Sequence, residues 1–147
     1  MNATTEPEQE RIRTNVSDKP IGLDDHVEFV SDGEFGAVAT FLGVVRNHDG
    51  GRKVDRLEYS SHPSADDVLH ELALAASRAP GVGRIAISHR IGNLEVGDIA
   101  LVAAVSSAHR GVAFEMIANL VEVVKAQLPI WKKQDFADGA SEWVNSP

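Results

Sequence analysis

The feature that most constrains this chain is the uncharged run Phe35 to Val45, FGAVATFLGVV. Rich in β-branched and aromatic side chains, it reads as a long buried strand. Asn47 to Gly51, NHDGG, follows almost at once. Asp-Gly and Gly-Gly supply positive φ at little cost, so the strand ends in a turn. Val54 to Ser60 reads as the returning strand. Val54, Leu57 and Tyr59 are its apolar positions, in imperfect alternation.

Helices and further strands follow. Ser64 to Ala79 carries the helical stripe Val68, Leu69, Leu72, Ala73 and Ala76, with Ser64 and Asp67 placed as a capping box. Pro80 and Gly81 stop it. Arg84 to His89 alternates as a strand, Gly92 and Gly97 bracket a turn, and Asp98 to Ser106 is a second apolar strand. A long helix is predicted from Ala108 to Leu128, capped by Ser106 or Ser107 and ended by Pro129. Ile130 to Phe136 is extended, and Glu142 to Val144 adds a short strand. Val27 to Val30 is read as another short strand, and the polar stretch before it as flexible. The expected division is a flexible arm over residues 1–26 and one domain over 27–147. Strands and helices mix without regular βαβ alternation, which predicts an α+β fold.

Composition narrows the function. The formal net charge is -8, which disfavours general nucleic-acid binding. With no cysteine, thiolate nucleophiles, disulfides and Cys-ligated metals are excluded. No apolar run approaches the roughly 20 residues of a membrane helix, and the polar start lacks the apolar segment of a secretory signal. A cytoplasmic protein, away from membranes, is expected. The six histidines lack paired metal-ligand spacing. There is no Gly-x-Gly-x-x-Gly and no P-loop, so neither metal nor cofactor is expected.

The cations are unevenly placed. From His109 to Lys133 there are Arg110, Lys125, Lys132 and Lys133 against Glu115 and Glu122. On the long helix Glu115, Asn119 and Glu122 share a polar arc, but Lys125 falls on the side of Val121 and Leu128. Such a lysine either snorkels along the core edge or points into a pocket. His109 and Arg110 open the helix, where unpaired N–H groups and the helix dipole favour an anion. In an extended segment Lys132 and Lys133 face opposite ways, so at most one easily shares a pocket with Lys125. Arg46 and Asn47 end the long strand at a turn, where functional groups concentrate. His89 and Arg90 repeat the His-Arg pair at a strand end, where packing is the plainer explanation.

Taken in order, Phe35–Asn47 (FGAVATFLGVVRN), Leu57–Tyr59 (LEY), His89–Gly92 (HRIG), Val105–Arg110 (VSSAHR), Ala113–Glu115 (AFE), Lys125 and Pro129–Lys133 (PIWKK) resemble the MoaE family, the catalytic subunits of molybdopterin synthase. Gly139 and Trp143–Val144 complete the resemblance, which covers Phe35 to Val144. It implies an α+β fold with a hammerhead-like core and additional antiparallel β structure. It implies a sulfur transfer that converts cyclic pyranopterin monophosphate to molybdopterin. The two sulfurs would come from the thiocarboxylated C-terminal Gly-Gly tail of a small ubiquitin-like subunit, in a heterotetramer built on a homodimer of the large subunit. Lys125 and Lys132 would be catalytic. Arg46, His109, Arg110, Lys133 and Gln134 would bind substrate. Two positions depart from the family: Gln134 and Ser60 stand where acidic residues are common. Two other readings of the same residues are a non-catalytic module for a ubiquitin-like sulfur-carrier tail, and a binder of another phosphorylated heterocycle.

Overall fold

A computed structural model describes residues 7–146, with side chains to Trp143. A 3-10 turn at Glu8–Arg11 leads into β1 (Ile12–Ser17), α1 (Leu23–Val30), β2 (Ala37–Val44), β3 (His48–Asp49) and β4 (Arg52–Ser61). Then come α2 (Ala65–Ser77), β5 (Val82–Arg90), β6 (Gly92–Glu95), β7 (Ile99–Ser107), α3 (Arg110–Gln127), β8 (Ile130–Phe136) and β9 (Ser141–Ser146).

The strands form two sheets. The first has the order β1-β5-β7-β2, parallel between β1 and β5 and antiparallel elsewhere. Its two faces differ in side-chain size. Ile85, Ile87, Leu101 and Val105 fill one face, against which α2 and α3 pack. Ala86 and Ala104, paired in register, lie on the other and meet Val30 of α1. Small residues there let the helix approach closely. The second sheet has the order β3-β4-β8-β9, with β6 also paired to β4. One core, from Ile12 to Phe136, joins both sheets. Helices with mostly antiparallel sheets make the fold α+β, as expected.

Several local expectations need correction. The arm expected over residues 1–26 holds instead, from Glu8 onward, a 3-10 turn, a strand and the start of a helix. Ile12 is 7% exposed, and β1 registers Ile12 to Ser17 against Ile85 to Arg90. Parallel pairing with a distant strand leaves little local pattern to read. Residues 1–6 lie outside the described residues. Val27 to Val30 is the end of α1, not a strand. His26 and Val30, four apart, are its buried positions, and His26 Nε2 lies 2.7 Å from Ser88 Oγ. Gly92 to Glu95 is β6, not part of a turn. Neither long helix has its expected cap. Ser64 makes no capping bond and pairs with His62, while Ser107 Oγ donates to the carbonyl of His109, the residue that caps α3.

The turn after β2 also works differently from the simple hairpin expected. β2 pairs with β7, whereas the returning β4 pairs with the short β3 across Gly50 and Gly51. Both glycines have positive φ, 57° and 80°, as a two-residue turn matching strand twist requires. The chain thus passes from one sheet to the other between Val44 and His48. The imperfect alternation of β4 has a cause as well. Asp55 is an extra residue in the ladder with β8, between the pairs Val54–Phe136 and Arg56–Asp135. The bulge brings Val54 and Leu57, three apart, to the same buried face.

Candidate functional site

The place where the chain changes sheets is a cavity of about 350 Å³. Its walls come from the end of β2, the inner faces of β4 and β8, the ends of β5 and β7, and the last turn of α3. Two backbone bonds hold the rim. The Val45 N–H donates to the Asp98 carbonyl and the Gly97 N–H donates to the Val45 carbonyl, each at 2.9 Å. Arg46, next along, projects at this edge with an Asp49 carboxylate 3.7 Å away.

Two lysines enter from different elements. Lys125 sits beside fully buried Val124 on α3, at the border of the apolar stripe, and lines the cavity. Strand alternation decides β8. Ile130, Lys132, Gln134 and Phe136 point inward, and Lys132 and Gln134 line the cavity. No carboxylate is among the lining residues. Burial, helped by the Lys132 and Arg46 charges and opposed by Glu122, holds the Lys125 amine below the usual lysine range. An amine held down in this way gives up its proton more readily, which suits it to act as a base or nucleophile.

The floor holds two residues that sequence reasoning did not select. Tyr59 and His89 are 8% and 2% exposed, and their rings meet edge to face with centroids 4.9 Å apart. Burial pushes the Tyr59 phenol up. It pushes the His89 imidazole down from 6.5 to about 4, a shift the Lys125 charge reinforces and a hydrogen bond to the Arg90 carbonyl opposes. The repeated His-Arg pair was the available signal for His89, but only the fold places it beneath Lys125.

Of the residues proposed from sequence, Arg46, Lys125, Lys132 and Gln134 are brought together. Lys133 is not. It lies on the opposite face of β8, with Nζ 5.8 Å from the Trp143 ring centroid. His109 and Arg110 are not there either. They line a separate, shallower depression with Gly36, Ala37 and Phe114 at the start of α3. Fifteen residues of helix, about 22 Å at 1.5 Å per residue, separate Arg110 from Lys125. No cluster of three or more His, Asp or Glu residues suited to a metal occurs among the described residues.

The MoaE protein family matches residues 16–127, most of the chain. The chain belongs to the MoaE family. A molybdopterin synthase catalytic subunit from Bacillus subtilis is 36% identical over 133 residues, covering 90% of this chain and 84% of that protein. Catalytic subunit 1 from Mycobacterium tuberculosis is 36% identical over 131 residues, 88% of each. The crystal structure of molybdopterin synthase from Staphylococcus aureus superposes with a TM-score of 0.79 at 35% identity, covering 95% of this chain and 98% of that one. A Helicobacter pylori chain from a complex of subunits 1 and 2 of a molybdopterin-converting factor shares the fold alone, with a TM-score of 0.66 at 20% identity and coverage of 92% and 88%. Family membership makes this chain an enzyme subunit of molybdenum cofactor biosynthesis, as the sequence resemblance implied.

Proposed function

We propose that this molybdopterin synthase subunit binds cyclic pyranopterin monophosphate in the Lys125–Lys132 cavity and inserts two sulfurs into it. The donor is the thiocarboxylated Gly-Gly tail of a small ubiquitin-like subunit. The observation that carries this reading is the meeting of two lysines from separate elements in one carboxylate-free cavity, one of them held below its usual range. The tail brings a negative charge and the pterin a phosphate, and such a cavity suits both. Each transfer forms a carbon–sulfur bond on the pterin side chain as a carbon–oxygen bond at the same carbon breaks, and water then hydrolyses the acyl carbon–sulfur bond, leaving the sulfur on the pterin and a carboxylate on the tail. Lys125 and Lys132 between them stabilise the charge that develops and relay protons during attack. Gln134 supplies a neutral hydrogen-bonding group. In the Helicobacter pylori complex the related chain is likewise paired with a second subunit.

His109 and Arg110 retain a role as phosphate ligands if a second copy supplies them. A homodimer would set the start of one α3 at the mouth of the other cavity, within a heterotetramer that includes two small subunits. Lys133, facing Trp143, is better placed to contact the small subunit than the pterin. Without cysteine to be oxidised, and with no described helix long and apolar enough to cross a membrane, the chain fits a cytoplasmic enzyme.

The test is single-turnover formation of dithiolene product from the pterin and preloaded small subunit. Lys125→Ala is expected to keep its unfolding temperature and lose at least ~100-fold in rate, the scale of a lost general acid–base. Near-normal turnover in this variant would end the assignment. Binding of both partners by the native chain without product would favour the non-catalytic tail-binding module.

A further inference from the structure

We infer that His89 is a substrate-orienting residue whose imidazole Nε2 accepts a hydrogen bond from a ring N–H of the pterin. The inference rests on the reading of the cavity as a pterin site and adds to it the group that recognises the heterocycle.

The tautomer follows from a single contact. His89 Nδ1 lies 2.7 Å from the Arg90 carbonyl oxygen. A carbonyl only accepts, so Nδ1 carries the hydrogen, and in a neutral ring Nε2 holds the lone pair. Nothing among the described residues donates to Nε2. Nor is the atom sealed away, unlike Arg11 Nε and Arg90 Nε, which are both buried and unpartnered. His89 lines the cavity, so Nε2 is available to a molecule within it. The Tyr59 ring, at 82° to the imidazole, restricts its rotation.

Charge explains why an acceptor is needed. The ionisable groups at the cavity other than His89, Tyr59 and His48 are Arg46, Lys125 and Lys132, all donors. They suit a phosphate. A pterin ring also carries N–H donors, and a donor buried against cations costs affinity. Acceptors among the side chains are few, and His89 is the one whose orientation is fixed from two sides. Its proton affinity fits the task. A group titrating at about 4 stays neutral near pH 7, so Nε2 keeps its lone pair and remains an acceptor. The cations thus hold the phosphate, and His89 sets the ring.

The experiment titrates the native chain, His89→Leu and His89→Gln with cyclic pyranopterin monophosphate, inorganic phosphate and the small subunit, alongside turnover. His89→Leu is expected to raise the pterin KM by about tenfold, the scale of one buried hydrogen bond, and to change kcat less than about threefold. His89→Gln, which keeps an acceptor, should recover most of the loss. Phosphate and small-subunit affinity should be unchanged in both. Native-like pterin affinity in His89→Leu would overturn the inference, as would equal loss in both variants with unfolding temperatures intact. A ligand-side test serves if His89→Leu does not fold. The native chain should bind ring-N-methylated pterins more weakly than their parent at one ring nitrogen at least, and equal affinity for every such analogue would overturn the inference. A native chain that binds phosphate but no pterin overturns the pterin reading itself, an outcome distinct from any His89 result.

Discussion

Lys125 and His89 share one physical situation, a basic group partly stripped of water beside another cation. For Lys125 the neighbour is Lys132, whose charge adds to burial in holding the amine down. If turnover needs the neutral amine, the rate rises with pH through the Lys125 titration. Lys132→Ala then moves that rise to higher pH, and Lys132→Arg, which keeps the charge but releases no proton, leaves it near its native place while restoring little rate. A pH–rate profile of single turnovers reads both effects. An unmoved profile in Lys132→Ala would mean that the two side chains do not interact. His89 gives a stability prediction. Its folded value of about 4 lies below the ordinary 6.5, so the unfolded chain binds a proton that the folded chain refuses. Stability is therefore full above pH 6.5 and falls as pH drops toward 4, by roughly 3 kcal/mol for this group. His89→Gln should flatten that part of the curve in urea unfolding from pH 7 to pH 4. Residue chemistry was partly legible in advance. The position of Lys125 off the polar arc of its helix allowed either snorkelling or a pocket, and strand parity allowed only one of Lys132 and Lys133 to join it, whereas His89 looked like packing until the end of β5 was placed beneath α3.

At the scale of elements, the bends matter more than the regular stretches. Gly83 sits in β5 where the register against β7 shifts between Val82 and Ile85. A Cβ there would lie 2.7 Å from Phe35 ring carbons and 2.8 Å from Ser106 Oγ, which accepts the Arg84 N–H at 2.9 Å. Gly83→Ala should therefore destabilise the fold by about 1–3 kcal/mol through overpacking, measurable as a lower urea midpoint. An unchanged midpoint would show that Phe35 moves aside freely. The long strand β2, both long helices and the glycine turn were readable because their signals are local. β1 and α1 were not. β1 is held by long-range parallel pairing, and the α1 pattern of His26 and Val30 is too short to stand out from its polar surroundings.

For the whole molecule, the proposed phosphate role of His109 and Arg110 requires a second copy, because the cavity lies at the far end of their own helix. A composite site across a twofold interface makes a distinct prediction. Arg110→Ala and Lys125→Ala chains, each inactive alone, are unfolded together and refolded as mixed dimers. One of the two cavities in each mixed dimer then has both an intact Lys125 and a partner Arg110. About a quarter of native activity should return for random pairing. No recovery, with mixed dimers verified by mass, would place the phosphate grip within a single chain or remove Arg110 from the site.

The sequence by itself determined the family, the α+β class and the residue types available for chemistry. These depend on local periodicity, turn chemistry and short motifs, which survive without any knowledge of long-range contacts. Only the tertiary structure decided which cations meet. Lys125 and Lys132 converge because α3 and β8 both border the core where the chain changes sheets. Lys133 turns away because alternate residues of a strand face opposite sides, and Arg110 is removed by the length of a rigid helix. His89 enters the site by the same logic. Its place beneath Lys125 is set by the pairing of β5 with β7 and the packing of α3 across them, contacts between segments distant in sequence.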